Sequence, residues 1–197
     1  MKSRNIDIFI SGAGPAGLLA SISFASLGYS VICVDPHKPV THANDAGADL
    51  RTTAFLQPAK NFMQSLDLWE ELKSYAVPME IMRIIDAAGE NWPPKEKTTK
   101  DFLSSDISDL PFGWNIPNWL LRRAFTEKAN KYSNLELKFG LTTSSFIRRD
   151  DAAFVYLDDG SQIKAKLVIG ADGRNSFIRE KSQIKISRTE FSQKALT

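Results

Sequence analysis

The sequence predicts an α/β fold, a doubly wound sheet interrupted by β-rich inserts, and three observations carry that prediction. A β-rich apolar run, Ile6, Ile8, Phe9 and Ile10, leads directly into Gly12-Ala13-Gly14-Pro15-Ala16-Gly17 and then into an apolar helical stretch over residues 18–27. A second apolar strand over 29–34 ends on Asp35. Near the other end, a strand over 161–170 runs into Gly170-Ala171-Asp172-Gly173. Strands alternating with helices, each strand ending on glycines or an acid, is the pattern of a parallel sheet with crossover helices.

The first stretch matches G-x-G-x-x-G in strand–turn–helix–strand context, which specifies a dinucleotide site. Gly12 makes the tight turn, Gly14 lets backbone approach a pyrophosphate, and Gly17 allows close helix–strand packing. The helix beginning near Pro15 and Ala16 turns free N–H groups and partial positive charge toward that phosphate. Asp35 stands about 20 residues on, where a ribose-binding carboxylate belongs. No charged residue occurs from Ile8 to Val34, a span long enough for a membrane helix. The Gly and Pro residues at 12–17 divide it into short runs, however, and a buried βαβ unit accounts for the hydropathy. Neither a transmembrane segment nor a signal peptide is expected.

Bulk properties narrow the class. The chain has 197 residues, 43% hydrophobic and 24% charged, enough for a packed core. Its net charge of +2 gives no general attraction to nucleic acid or anionic lipid. Cys33 is the single cysteine and lies within the second strand, as a buried thiol. No disulfide framework is available, in keeping with a cytoplasmic chain.

The loop over 36–50 contains both histidines, His37 and His42, with Asp45 and Asp49. Their spacing fits no helix or strand ligand set, so no metal site is expected. Beyond Arg51, Thr52 and Thr53 are read as caps of a helix to Leu66 that buries Phe55, Ala59, Phe62, Met63 and Leu66. A short helix over 69–75 stops before Pro78. Residues 79–87 alternate as a strand, Ala88-Gly89-Glu90 is a turn, and 91–109 reads as a loop with one short strand near Phe102. Asn115-Ile116-Pro117-Asn118 opens a helix to about Tyr132. Arg122, Arg123 and Lys128 form its solvated basic side, without the aromatic interleaving of a nucleic-acid surface. Strands follow over 135–139, 143–149, 153–157 and 161–170, with an Asp-Gly hairpin turn at Asp159-Gly160. A short helix lies near 177–181, and residues 184–197 look like the start of another strand.

Val168-Ile169-Gly170-Ala171-Asp172-Gly173-Arg174-Asn175-Ser176, with Arg179, resembles the G-A-D-G-x-x-S-x-x-R signature of single-component FAD-dependent aromatic-ring hydroxylases. Arg51-Thr52-Thr53-Ala54 is similar to the arginine motif beside the flavin in that family, and Asn115 to Asn118 resembles the branch that hydroxylates ubiquinone precursors. The resemblance spans residues 1 to about 179. It implies an FAD-binding Rossmann-like domain of the glutathione-reductase type over residues 1–183, carrying inserted strands at about 79–109. Residues 184–197 would then begin a substrate-domain strand.

By the same resemblance Gly12, Gly14 and Gly17 hold the FAD pyrophosphate, with Pro15 and Ala16 in the same turn, and Asp35 the adenosine ribose. Arg51 lies over the flavin near the substrate, and Asn118 stands where Arg or Gln often faces the cofactor phosphates. Asp172 and Gly173 approach the pyrophosphate and the nicotinamide nucleotide, and Arg174 supports their turn. No side chain acts as a nucleophile, because the chemistry is the flavin's: NAD(P)H as co-substrate reduces FAD, and O₂ supplies the oxygen placed on an electron-rich ring.

The family's later Gly-Asp motif has no counterpart here, since no Gly-Asp dipeptide occurs in the sequence. The chain is therefore expected to be the N-terminal part of a hydroxylase, incomplete at the C-terminus and inactive alone. The expected partners are a small aromatic substrate, with a prenylated ring as one option, and the missing C-terminal half or other biosynthetic subunits. Peripheral contact with a membrane is a further option for a cytoplasmic protein. Two alternatives remain open at this point: a non-catalytic nucleotide-binding remnant, and a fragment of an isoprenoid-acting flavin reductase or cyclase.

Overall fold

A computed structural model describes residues 4–88 and 93–192. In chain order, β1 (Arg4–Ser11) leads through the glycine turn into α1 (Pro15–Ser26) and β2 (Val31–Asp35). Then come β3 (Thr52–Leu56), α2 (Gln57–Ser65), α3 (Trp69–Leu72), β4 (Val77–Met79), β5 (Ile81–Ala88), β6 (Lys95–Leu103) and β7 (Gly113–Pro117). The chain continues with α4 (Asn118–Ala129), β8 (Leu135–Phe139), β9 (Thr143–Arg148), β10 (Ala153–Leu157), β11 (Gln162–Gly170) and α5 (Phe177–Lys181). These elements fall into two compact units, Met1–Arg51 with Asn118–Thr197, and Thr52–Pro117.

The first unit is built on a six-stranded sheet of order β8-β2-β1-β11-β10-β9. Its first four strands are parallel, and β10 and β9 continue it as an antiparallel meander. The β10–β11 turn of the meander follows from sequence: Asp159 Oδ1 accepts the Ser161 N–H at 2.8 Å, and Gly160 takes φ +80°. Phe9, Ile32 and Val34 pack in one cluster with Val155, Leu157, Ile163 and Ala165. α1 packs on β1, β2 and α4, and its Leu18 and Ile22 are fully buried. Cys33 is buried too, as its place in β2 predicts.

The second unit holds a three-stranded sheet, β3-β7-β4, and a separate β5–β6 hairpin. Several expectations are corrected here. Residues 52–56 are a strand, not the first turns of a helix, because the β-prone Thr52-Thr53-Ala54-Phe55 segment pairs with β7. Helix α2 starts only at Gln57, where Pro58 occupies a first-turn position that needs no N–H. Phe55 is thus a strand residue, and Phe62 is 43% exposed rather than core, while Met63 and Leu66 are buried as expected.

The supposed loop over 91–109 contains the nine-residue strand β6, paired with β5 from Ile81↔Leu103 onward. Its lysines and acids hide a strand that is solvated on both faces, joined across the pair by a bidentate Arg83–Asp101 contact at 2.7 Å. Gly89 and Glu90 of the expected turn lie outside the described residues. Asn115 to Pro117 belong to β7, so α4 begins only at Asn118. Among described residues 184–192 no strand forms. An extended segment without a partner strand has no ladder to join.

Candidate functional site

The four parallel strands β8, β2, β1 and β11 end side by side at Phe139, Asp35, Ser11 and Gly170. The chain steps outward from β1 to β2 and β8 on one side and places β11 on the other, so β1 marks the switch in strand order. Crevices at that position, beyond the carboxyl ends of the strands, are where open α/β sheets bind ligands. A cavity of about 440 Å³ occupies it, lined by all four following turns: Gly12 and Gly14 after β1, Asp35 to His37 after β2, Leu141 to Thr143 after β8, and Ala171 to Gly173 after β11.

The glycine turn is shaped by close backbone approaches. A Cβ on Gly17 would lie 1.9 Å from the Gly12 carbonyl oxygen, and one on Gly12 would lie 2.3 Å from the Ala171 carbonyl oxygen. The β1 and β11 turns therefore touch, and Ser11 O accepts the Ala171 N–H at 2.7 Å. Gly14 differs: nothing lies within 4 Å of a Cβ there, so its bare backbone faces open space in the cavity wall. It is also the N-cap of α1, with Pro15 next and no side chain capping the helix. The first-turn N–H groups of α1 consequently have no side-chain acceptor.

Asp35 does more than end a strand. Its Oδ2 accepts the Ala13 N–H at 2.7 Å and its Oδ1 the His37 N–H at 2.8 Å, so it ties the glycine turn to its own loop. Each carboxylate oxygen keeps a second lone pair for a hydroxyl donor. Opposite, Asp172 Oδ2 accepts the Ile178 N–H at 3.1 Å, whereas Asp172 Oδ1 is buried with no partner. The rest of that signature holds its own turn together. Ser176 caps α5 by accepting the Arg179 N–H, and Arg179 Nη2 reaches the Arg174 carbonyl at 2.7 Å. Arg174 thus supports the turn through its backbone, and its side chain is not part of the cavity wall.

Of the residues expected at the site, Gly12, Gly14, Asp35, Asp172 and Gly173 meet on the cavity. Pro15, Ala16 and Gly17 form the helix start beside it. Arg51 and Asn118 lie elsewhere, together, around Asp49. Arg51 Nε and Nη2 bond the two Asp49 oxygens at 2.9 Å each, and Asn118 Nδ2 donates to Asp49 Oδ2 at 3.0 Å. The Arg51 guanidinium holds the Asp49 carboxyl well below the usual carboxylate range. Sequence reasoning missed Asp49, and it missed the wall residues Leu141, Thr142 and Thr143. Their one signal was position, immediately after a strand of the parallel sheet. Burial pushes the Cys33 thiol up to about 12, so it is a core group without reactivity toward the cavity. Among the described residues no group of three or more His, Cys, Asp or Glu could hold a metal, and no helix is long and apolar enough to cross a membrane.

The comparisons with known proteins agree with this geometry. The family described as FAD binding domain matches residues 5–196. The chain belongs to that family. It is similar to the ubiquinone hydroxylase UbiL of Rhodospirillum rubrum, 27% identical over 192 residues, covering 96% of this chain and 42% of the relative. It is also similar to the 3-demethoxyubiquinol 3-hydroxylase of Escherichia coli, 24% identical over 196 residues, covering 100% of this chain and 48% of the relative. Among solved structures, the flavin-dependent monooxygenase PieE, in complex with FAD and substrate, superposes with TM-score 0.75 at 18% identity. That match covers 95% of this chain and 33% of PieE. The p-nitrophenol 4-monooxygenase PnpA from Pseudomonas putida gives TM-score 0.69 at 18% identity, over 92% of this chain and 45% of PnpA. The expected resemblance to flavin-dependent hydroxylases is thus borne out. The chain spans less than half the length of these relatives.

An FAD-binding domain needs a place for a pyrophosphate and a ribose, and this cavity fits both. Gly14 leaves backbone open where a side chain would stand, and Asp172 Oδ1 is a buried acceptor lacking a donor.

Proposed function

We propose that this chain is the FAD-holding part of an aromatic-ring hydroxylase that acts on a ubiquinone precursor, with NAD(P)H as electron donor. The observation that carries the reading is the meeting of the Gly12 and Asp172 turns on one cavity at the ends of four parallel strands. In this reading Gly12, Gly14 and the start of α1 receive the pyrophosphate, since backbone N–H groups and the helix dipole favour an anion there. Asp35 accepts from the adenosine ribose, and Asp172, on the same cavity, stands beside the pyrophosphate. Gly173 lets the second turn approach closely, while Arg51 offers a cation near the flavin and substrate. FAD, when bound, would supply the redox chemistry by which electrons from NAD(P)H allow one oxygen atom of O₂ to enter the ring. The protein's part is to orient the ring and keep water out. Ring hydroxylation belongs to a whole protein of the relatives' size, and the 197-residue chain alone is expected to yield no hydroxylated product. The names of the relatives, both acting in ubiquinone chemistry, favour a ubiquinone precursor as the ring.

The test exploits the chemical difference between FAD and FMN, which lacks the adenosine. Asp35→Asn keeps one acceptor for the turn but loses the charge that strengthens a ribose hydrogen bond, an effect of about 1.5–3 kcal/mol. FAD and ADP should weaken together by roughly ten- to a hundredfold in fluorescence and calorimetric titrations. FMN should not respond. Equal losses for FMN and FAD would contradict the assignment of Asp35 to the adenosine.

A further inference from the structure

We propose that His37 supplies the positive charge of the cavity wall, so that protonation of its imidazole tightens the hold on the cofactor's pyrophosphate and makes cofactor binding pH-dependent. The inference rests on the reading of this cavity as the FAD site, and it gives a role to a residue that belongs to none of the motifs. A pyrophosphate diester brings negative charge into its site. The side chains of this wall do not balance it. Among the described residues lining the cavity, Asp35 and Asp172 are carboxylates and none is a lysine or arginine. His37 is the one lining side chain able to become a cation.

The backbone at His37 is pinned to the phosphate-binding turn. Its N–H donates to Asp35 Oδ1 at 2.8 Å, and the other oxygen of the same carboxylate accepts the Ala13 N–H at 2.7 Å. The two amides thus stand at opposite ends of one carboxylate, which places His37 next to the glycine turn. The Asp35 carbonyl accepts the Gly140 N–H at 2.9 Å and the Leu141 N–H at 3.4 Å, holding this loop against the one that follows β8. His37 itself is exposed, open to protons from solvent and to an arriving ligand.

The surrounding charges leave the switch to this ring. Asp35 from β2 and Asp172 from the turn after β11 are the other titratable side chains on the wall. The start of α1 and the segment from Leu141 to Thr143 bring none to it. Thr142 engages Asp158 instead, through its N–H at 3.1 Å and its hydroxyl at 2.7 Å. Lys38 follows in the loop, outside the lining. An imidazole gains its charge near neutral pH, whereas carboxylates and ammonium groups titrate far from it. The pyrophosphate of FAD has no terminal phosphate, so its own charge is constant across neutrality. A change in FAD affinity over that range reports a group on the protein.

The experiment titrates the 197-residue chain with FAD, followed by flavin fluorescence, at about pH 8 and about pH 6, each in low and high salt. Wild type should bind FAD about threefold more tightly at the lower pH, as one charge gained near the phosphates in an open site allows. High salt should shrink that gain. His37→Gln, which cannot be charged, should match wild type at the higher pH and lose the gain. His37→Lys, charged at both, should bind at least as tightly as wild type does at the lower pH, with no pH response. His42→Gln alters the other histidine and should keep the gain. A gain that survives in His37→Gln, or a wild-type affinity indifferent to pH, would overturn the role of His37 and leave the cofactor site standing. A wild-type chain that binds FAD at neither pH would overturn the cofactor assignment itself, and this inference with it.

Discussion

The parallel sheet and the β5–β6 hairpin use similar apolar residues and leave them in opposite environments. Phe9, Ile10, Ile32 and Cys33 in β1 and β2 are 0% exposed, whereas Ile81, Met82, Ile84 and Ile85 in β5 are 53–57% exposed. Both are paired along their length, the hairpin with one register shift between Asp86 and Ala87. The difference lies in what covers the faces. In the sheet, α1 packs on β1 and β2, and residues of β10 and β11 join Phe9 and Ile32 in one cluster. The hairpin's register puts Ile81, Ile85 and Leu103 on one side and Met82, Ile84 and Phe102 on the other, with all six substantially exposed. Pairing makes a strand, and burial makes it contribute to stability.

Substitutions on the two sides of this comparison should separate widely. Phe9→Ala, in the fully buried cluster, should cost about 3–5 kcal/mol in denaturant unfolding. Gly17→Ala comes next, at about 3 kcal/mol, because the new Cβ would lie 1.9 Å from a backbone carbonyl oxygen that cannot yield freely. Either variant unfolding like wild type would break the claim that this sheet and its turn carry the stability.

Cys33 sharpens the same claim through pH. Its folded pKa is raised to about 12 by burial, so its contribution is intact below the ordinary thiol range. Stability is then lost as pH rises from about 9 toward 12, by roughly 1.4 kcal/mol per pH unit, because only the unfolded chain ionises this group there. A Cys33→Ala variant should show a shallower decline over that window, and an equal slope would place the thiol in a wetter environment. The smallest effect belongs to the hairpin. Ile85→Ala should change stability by no more than about 0.5 kcal/mol, and a core-sized loss would show that its faces are covered after all.

What could be read from the sequence follows the same division. The glycine turn, Asp35 and the Asp172 turn were legible because each is a local demand on the backbone: a tight bend, a close approach, an acid at a strand end. β3 was not, since Thr52 to Leu56 becomes a strand only by pairing with Gly113 to Pro117, far along the chain. β6 was hidden by its own chemistry, because a strand with two solvated faces has no apolar alternation to detect. The cavity wall at Leu141 to Thr143 depends on β8 pairing with β2 in the register Asp35↔Phe139. Asp49 read as a loop acid until the fold brought Asn118 and Arg122 to it.

The most direct test of the cavity as the FAD site is the Gly14→Val variant. The structure leaves open space around a Cβ at this position, and its φ of −66° suits a side chain, so folding should be undisturbed. A branched side chain there would stand where a pyrophosphate must approach bare backbone. Titration of the folded variant should show FAD and ADP affinity reduced at least about tenfold, equivalent to 1.4 kcal/mol, with its thermal unfolding unchanged from wild type. Unaltered affinity for both ligands in a folded Gly14→Val chain would contradict the account.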